Sequence, residues 1–150
     1  MTKAELERYL HDHIPLSRAM AVRVLSIAED RVELGAPLAP NINHRDTVFG
    51  GSAASVATLA AWSLLHVRLT DAGFPSRIVI QRSTMDYLLP MAGDFTATAA
   101  LDENADWAAF VRLLTRRGRA RLAIKAELEF DGNRAGIFAG EFVAFAGGHS

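Results

Sequence analysis

Nineteen consecutive residues, Thr47 to Leu65, carry no charged side chain. They open with Thr-Val-Phe-Gly-Gly-Ser and continue as an Ala-rich run. From Ala53 to about Thr70 the apolar residues follow helical spacing but cover almost the whole circumference: Ala53, Ala54, Val56, Ala57, Leu59, Ala60, Ala61, Trp62, Leu64, Leu65, Val67 and Leu69. A helix that is apolar all round is buried on most sides. A membrane span needs about 20 predominantly apolar residues, and this shorter stretch, rich in Ser and Gly, reads more economically as a buried helix of a soluble domain. In a chain of 150 residues, one domain's worth, the rest of the sequence must wrap it.

The flanking patterns supply the wrapping. Lys3 to His11 places Leu6, Tyr9 and Leu10 on one helical stripe, which Pro15 is expected to end. Ala19 to Ile27 reads as a strand, Glu29-Asp30 as a turn, and Arg31 to Ala36 as the second strand of a hairpin. Pro37 to Asn43 is an irregular loop. After the central helix, Arg77 to Leu89 and Phe95 to Leu101 read as strands, and residues 105–117 as a helix closed by Gly118. Ala120 to Phe130 and Arg134 to Ala146 are two further strands joined at Asp131-Gly132-Asn133, with Phe142 and Phe145 on opposite faces. Six strands and one all-apolar helix predict an α+β class, a curved antiparallel sheet wrapped around a long central helix. That is the hotdog fold, as a single domain over 1–150.

Composition narrows the function. Sixteen Lys+Arg against 17 Asp+Glu leave a net charge of -1, with no global basic excess for nucleic acid or an anionic membrane. The absence of cysteine excludes a disulfide scaffold, a thiol nucleophile and a Cys-ligated zinc site, and fits a reducing cytoplasm. The N-terminus, MTKAELERYL, is charged where a signal peptide needs an apolar run. The five histidines include His11 and His13 near the N-terminus and His149 at the other end, and no His-x-x-x-His spacing occurs, so no metal site is expected.

At residues 40–52 the sequence PNINHRDTVFGGS, followed by the Ala-rich helix and Trp62, resembles the YiiD C-terminal family of thioesterase-type proteins. HDHIPLSRAM (11–20), LGAPLAPNIN (34–43) and TRRGRARL with its DG turn (115–132) extend the resemblance along nearly the whole chain. The resemblance implies a hotdog fold, assembly as a homodimer or dimer of dimers, and an acyl-thioester ligand. The carrier would be coenzyme A or the phosphopantetheine of an acyl-carrier protein, present as part of the substrate rather than as a cofactor.

Thioester hydrolysis needs a polarised carbonyl, an activated water and a held carrier arm. Gly50 and Gly51 stand where a loop becomes a buried helix, whose N-terminus offers unpaired N–H groups and a partial positive charge. Gly51 N–H, with Ser52 N–H beside it, is the candidate oxyanion donor; the competing reading is a tight turn with glycines chosen for packing. Related phenylacetate-type hotdog thioesterases carry His-Gly-Gly here and an acid nine residues after that His. This chain has Phe49 and Thr58 at those positions, and no carboxylate from Gly51 to Leu65. Ser55 and Thr58 can orient a water, but a hydroxyl is not a useful base unaided; alternatively both are helix hydroxyls bonded locally.

Asn43 and His44 are the nearest polar groups before the glycines, one able to bond a thioester or water, the other to act as a base near neutral pH. Both also suit loop chemistry, and Asp46 can cap the helix region or support His44. His66 lies far down the helix and reads as a core or interface residue. Asp86, mid-strand, is a candidate for a composite site if it lies near a partner's helix N-terminus, and otherwise an exposed edge residue. Arg116, Arg117, Arg119 and Arg121 form a basic cluster that would suit the carrier's phosphates, with Arg117 and Arg119 the expected contacts. Arg116 and Arg117 equally suit a helix C-terminus.

Asn41-x-x-His44-x-Asp46 shares residue types with a stretch of MaoC-type hydratases, but no Gly-Asp precedes it and Gly50 follows His44 by only six residues. Hydration is therefore set aside. The expected function is acyl-thioester hydrolysis, and the alternative, favoured by the acid-free helix, is a non-catalytic acyl-thioester binding module. A dimer is expected because one such sheet leaves a long unpaired edge; a monomer by light scattering at micromolar concentration would count against it.

Overall fold

The computed structural model describes residues 1–147; His149 lies outside them. Helix α1 (Lys3–His13) is started by Thr2, whose hydroxyl accepts the Glu5 N–H at 3.1 Å, and it buries Leu6 and Leu10. The next step departs from the sequence pattern. Pro15 ends α1 but also begins a second helix, α2 (Pro15–Ala19). Proline's fixed φ and missing N–H suit a first helical position, and Met20 N–H closes the turn onto Leu16 O at 2.9 Å. The expected strand from Ala19 therefore starts later, as β1 (Arg23–Ala28), and Met20 and Val22 go to the core instead of the sheet ladder.

β1 pairs with β2 (Arg31–Ala36) as the expected hairpin. Then come α3 (Gly50–Asp71), β3 (Ser76–Tyr87), β4 (Phe95–Leu101), α4 (Trp107–Arg117), β5 (Arg119–Phe130) and β6 (Asn133–Ala146). α3 begins at Gly50, three residues before the apolar periodicity does. α4 is capped by Asp106, which accepts the Ala109 N–H at 3.0 Å, and ends at Gly118 with φ 71°, a conformation open to glycine without a Cβ penalty.

The six strands form one antiparallel sheet in the order β1-β2-β4-β5-β6-β3. Even-numbered residues of β5 face inward, among them Leu122, Ile124 and Leu128, and odd-numbered ones outward. On β6, Phe142 is buried while Phe145 lies on the other face, as its spacing requires. The curved sheet wraps α3, which packs against β2, β3, β4, β5 and β6. Ala57, Ala60 and Ala61 of α3 are fully buried, as are Ala97 and Ala99 of β4. Small residues on both sides let helix and sheet approach closely. This is the hotdog architecture.

β3 is an edge strand. Its far side has no partner among the described residues, and its middle exposes Val79 (44%) and Ile80 (39%) beside a bulge between Ile80 and Arg82. No helix among the described residues is long and apolar enough to cross a membrane.

Candidate active site

The loop before α3 is built to present the helix start. Asn41 is buried, and its side-chain amide donates to Met20 O at 3.0 Å and Pro37 O at 2.8 Å. Its own carbonyl receives the Phe49 N–H at 2.7 Å. Sequence reasoning gave Asn41 no role, yet it ties the α2–β1 junction to the residue that caps α3. Its signal was only an Asn between two apolar residues, which does not reveal a buried side chain.

Phe49 caps α3 through its backbone, without a side-chain cap, and Phe49 O takes the Ala53 N–H at 3.0 Å. The N–H groups of Gly50, Gly51 and Ser52 find no acceptor among the described residues. They form the positive end of a 22-residue helix. The Gly51 Cα lies under the Phe49 ring, which a Cβ there would overlap, and that ring is 57% exposed. Across from it, Tyr87 donates its hydroxyl to Gly50 O at 3.1 Å. This bond between α3 and the end of β3 holds the first turn in place, another contribution invisible in the local sequence.

A groove of about 480 Å³ begins one turn further along α3. Ala54, Ser55, Thr58, Leu59 and Trp62 form its floor, Ile14, Leu16 and Met20 one wall, and the Ile78–Ile80 segment with Phe142 the other. The lining is mostly apolar, with two hydroxyls at the end nearest the free N–H groups. Such a site takes an apolar ligand and fixes it by few polar contacts. Thr58 Oγ donates to Ala54 O at 2.8 Å, the local helix bond anticipated for it, which leaves the oxygen of this groove-lining side chain free to accept.

The other predicted side chains do not line the groove. Asn43 staples its own loop: Oδ1 accepts from Arg45 N (2.8 Å) and Thr47 N (3.1 Å), and Nδ2 donates to Thr47 Oγ (2.8 Å). His44 and Asp46 are exposed on the same loop, and Asp46 adopts φ 65°. Asp86 pairs in register with Ile137 on the outer face of the sheet, away from α3 of its own chain. Arg117, Arg119 and Arg121 also lie on the outer face, around a broad depression of about 1020 Å³ with Val143 and Phe145 at its base. None of these three arginines meets a carboxylate among the described residues. Val79 and Ile80 border both the groove and this depression, so the middle of β3 separates the two.

His66 sits below the groove in a column of rings. Trp62 stacks on it at 4.8 Å between centroids, Tyr9 of α1 at 4.4 Å, and His13 on Tyr9 at 4.1 Å. Burial pushes the His66 pKa down, the nearby His13 adds to this, and Asp71 opposes it. Its buried Nε2 has no hydrogen-bond partner among the described residues. Of the core and interface readings, this setting fits the core one.

Solved structures share the architecture. A protein of unknown function from Chlorobaculum tepidum TLS is 26% identical, with a TM-score of 0.89 over 95% of this chain and 93% of that one. The "putative thioesterase" from Shewanella oneidensis is also 26% identical, with a TM-score of 0.85 over 95% of this chain and 96% of that one. A Pseudomonas aeruginosa protein of unknown function, "Probable Thioesterase", is 21% identical and shares the fold, with a TM-score of 0.79 over 97% of both chains. With a match that runs from residue 3 to residue 146, the chain belongs to the family "Putative thioesterase (yiiD_Cterm)".

Proposed function

We propose that the chain hydrolyses acyl thioesters, with the acyl chain in the groove along α3 and the carbonyl oxygen against the free amides at its start. The observation that carries this reading is the juxtaposition of three unpaired N–H groups with a mostly apolar groove one helical turn away. Gly51 N–H, seconded by Ser52 N–H, stabilises the oxyanion as water adds to the thioester carbon. Gly50 and Phe49 shape the approach. Ser55 and Thr58 hold the attacking water, Thr58 through the lone pairs its helix bond leaves free. His44 takes the proton of that water, and Asn43 fixes the loop that carries it. Collapse of the tetrahedral intermediate expels the thiolate, which is protonated as the free thiol.

The carrier is coenzyme A or phosphopantetheine, bound as part of the substrate, with Arg117 and Arg119 meeting its phosphates. The edge of β3 joins a second copy, which covers Val79 and Ile80 and brings Asp86 toward the partner's helix start; two such dimers can associate further. Nucleic acid and membrane are not partners, and the cysteine-free chain works in the cytoplasm.

Release of thiol from short- to long-chain acyl-CoAs, phenylacetyl-CoA and an acyl-carrier protein tests this directly. Turnover of one class is the expected result. Saturable binding of the same compounds without any release would establish the second reading, a binding module. That reading is favoured by one observation: α3 carries no carboxylate until Asp71, its last residue.

A further inference from the structure

The groove ends in a specific way. Along α3 its lining steps from Ala54 and Ser55 through Thr58 to Trp62 and goes no further, although the helix continues to Asp71. The Trp62 indole reaches across from α3 to β3, where Nε1 donates to Ile78 O at 3.1 Å. It thereby ties the helix to the β3 wall. Behind it the His66 ring lies nearly parallel, at 13° and 4.8 Å, and the Tyr9 ring of α1 lies against His66 at 4.4 Å. The indole has a hydrogen bond on one side and two stacked rings beneath, so it cannot swing away without breaking several contacts at once.

We infer that Trp62 is the closed end of the acyl groove and sets the longest chain it takes, selecting medium-length acyl groups; this rests on the thioester reading of the same groove. The length follows from geometry. At about 1.5 Å per residue, Trp62 lies about 12 Å along the axis from Ala54. An extended peptide advances about 3.6 Å over its three backbone bonds, or about 1.2 Å per single bond, so about ten carbons fill the groove. Replacing Trp62 by alanine removes one ring thickness, about 3.5 Å at van der Waals contact, which admits about three more carbons before His66 becomes the closed end.

The test is calorimetric titration with S-alkyl-coenzyme A thioethers of increasing length, which cannot be hydrolysed and so report binding alone. In the unaltered protein, affinity should rise about fourfold per methylene and stop rising near ten carbons. In Trp62→Ala the rise should continue for about three more carbons, so that a chain of that length gains up to about fiftyfold over the unaltered protein. Trp62→Phe, which keeps a ring but loses the bond to Ile78 O, should shift the limit less. If Trp62→Ala does not fold by circular dichroism, Trp62→Leu carries the same test with a smaller shift. An unchanged limit in a folded variant overturns the role of Trp62 while leaving the thioester reading standing. Failure of the unaltered protein to bind any chain length removes both.

Discussion

Gly51→Pro should lower thioester turnover by about a hundred- to a thousandfold, the range seen when one oxyanion donor is removed, while the protein stays folded. The substitution suits this question because the Gly51 N–H makes no hydrogen bond within the described chain. Proline in the first turn of a helix loses only an N–H that the helix does not use. The cost is local: a side chain at this position displaces the Phe49 ring, which is largely exposed and has room to move. Gly51→Ala separates the two effects, since it displaces the ring but keeps the N–H. Turnover of Gly51→Ala within about tenfold of the unaltered protein, beside a far larger loss in Gly51→Pro, assigns the difference to the amide. The absence of cysteine lets a thiol reagent report product with no background from the protein. Near-normal turnover in folded Gly51→Pro would remove Gly51 from the chemistry.

Phe138→Ala should destabilise the protein by about 3–5 kcal/mol, as buried Phe truncations do. Phe138 is only 1% exposed on the inner face of β6. Its ring lies over Gly140, where an added Cβ would come within 2.8 Å of it, and the Phe142 ring closes the same space from the other side. Glycine at 140 makes room for both rings, so loss of Phe138 leaves a hole between Gly140 and the Phe142 ring. A domain is stable by about 5–15 kcal/mol in all, so urea unfolding at fixed protein concentration should show a clearly lowered midpoint. A loss below about 1 kcal/mol would mean that the core collapses into the hole, contrary to close packing at this point.

Much of the fold was legible because its determinants are local. The all-round apolar run read most economically as a buried helix, and the alternation in residues 120–146 as strands with one face inward. The Asp131-Gly132 turn, with φ 53° and 77°, is the left-handed pair that a tight hairpin demands. α2 was missed because Pro15 was read as a stop, whereas a proline that ends one helix is equally fit to start the next. At the site, the position of Gly50 and Gly51 at the helix start was legible in the sequence, whereas the exposure of Ser55 and Thr58 to the groove was not. Nor were the roles of Trp62 and Tyr87, because each acts through a bond to a residue 16 or 37 positions away.

The sequence by itself determined that a helix starting at the glycine pair must be enclosed, and that its first amides would lack partners. Both follow from periodicity and from the unpaired N–H groups of any helix start. Only the tertiary structure decided which side of that helix the sheet leaves uncovered. Strand order puts β3 at the edge, α2 supplies the opposite wall, and the gap between them exposes Ala54, Ser55 and Thr58 while burying Ala57, Ala60 and Ala61. The same helix has small residues on both sides, so no local pattern distinguishes a face packed on sheet from a face open to a ligand. That choice is made by the pairing of strands distant in sequence.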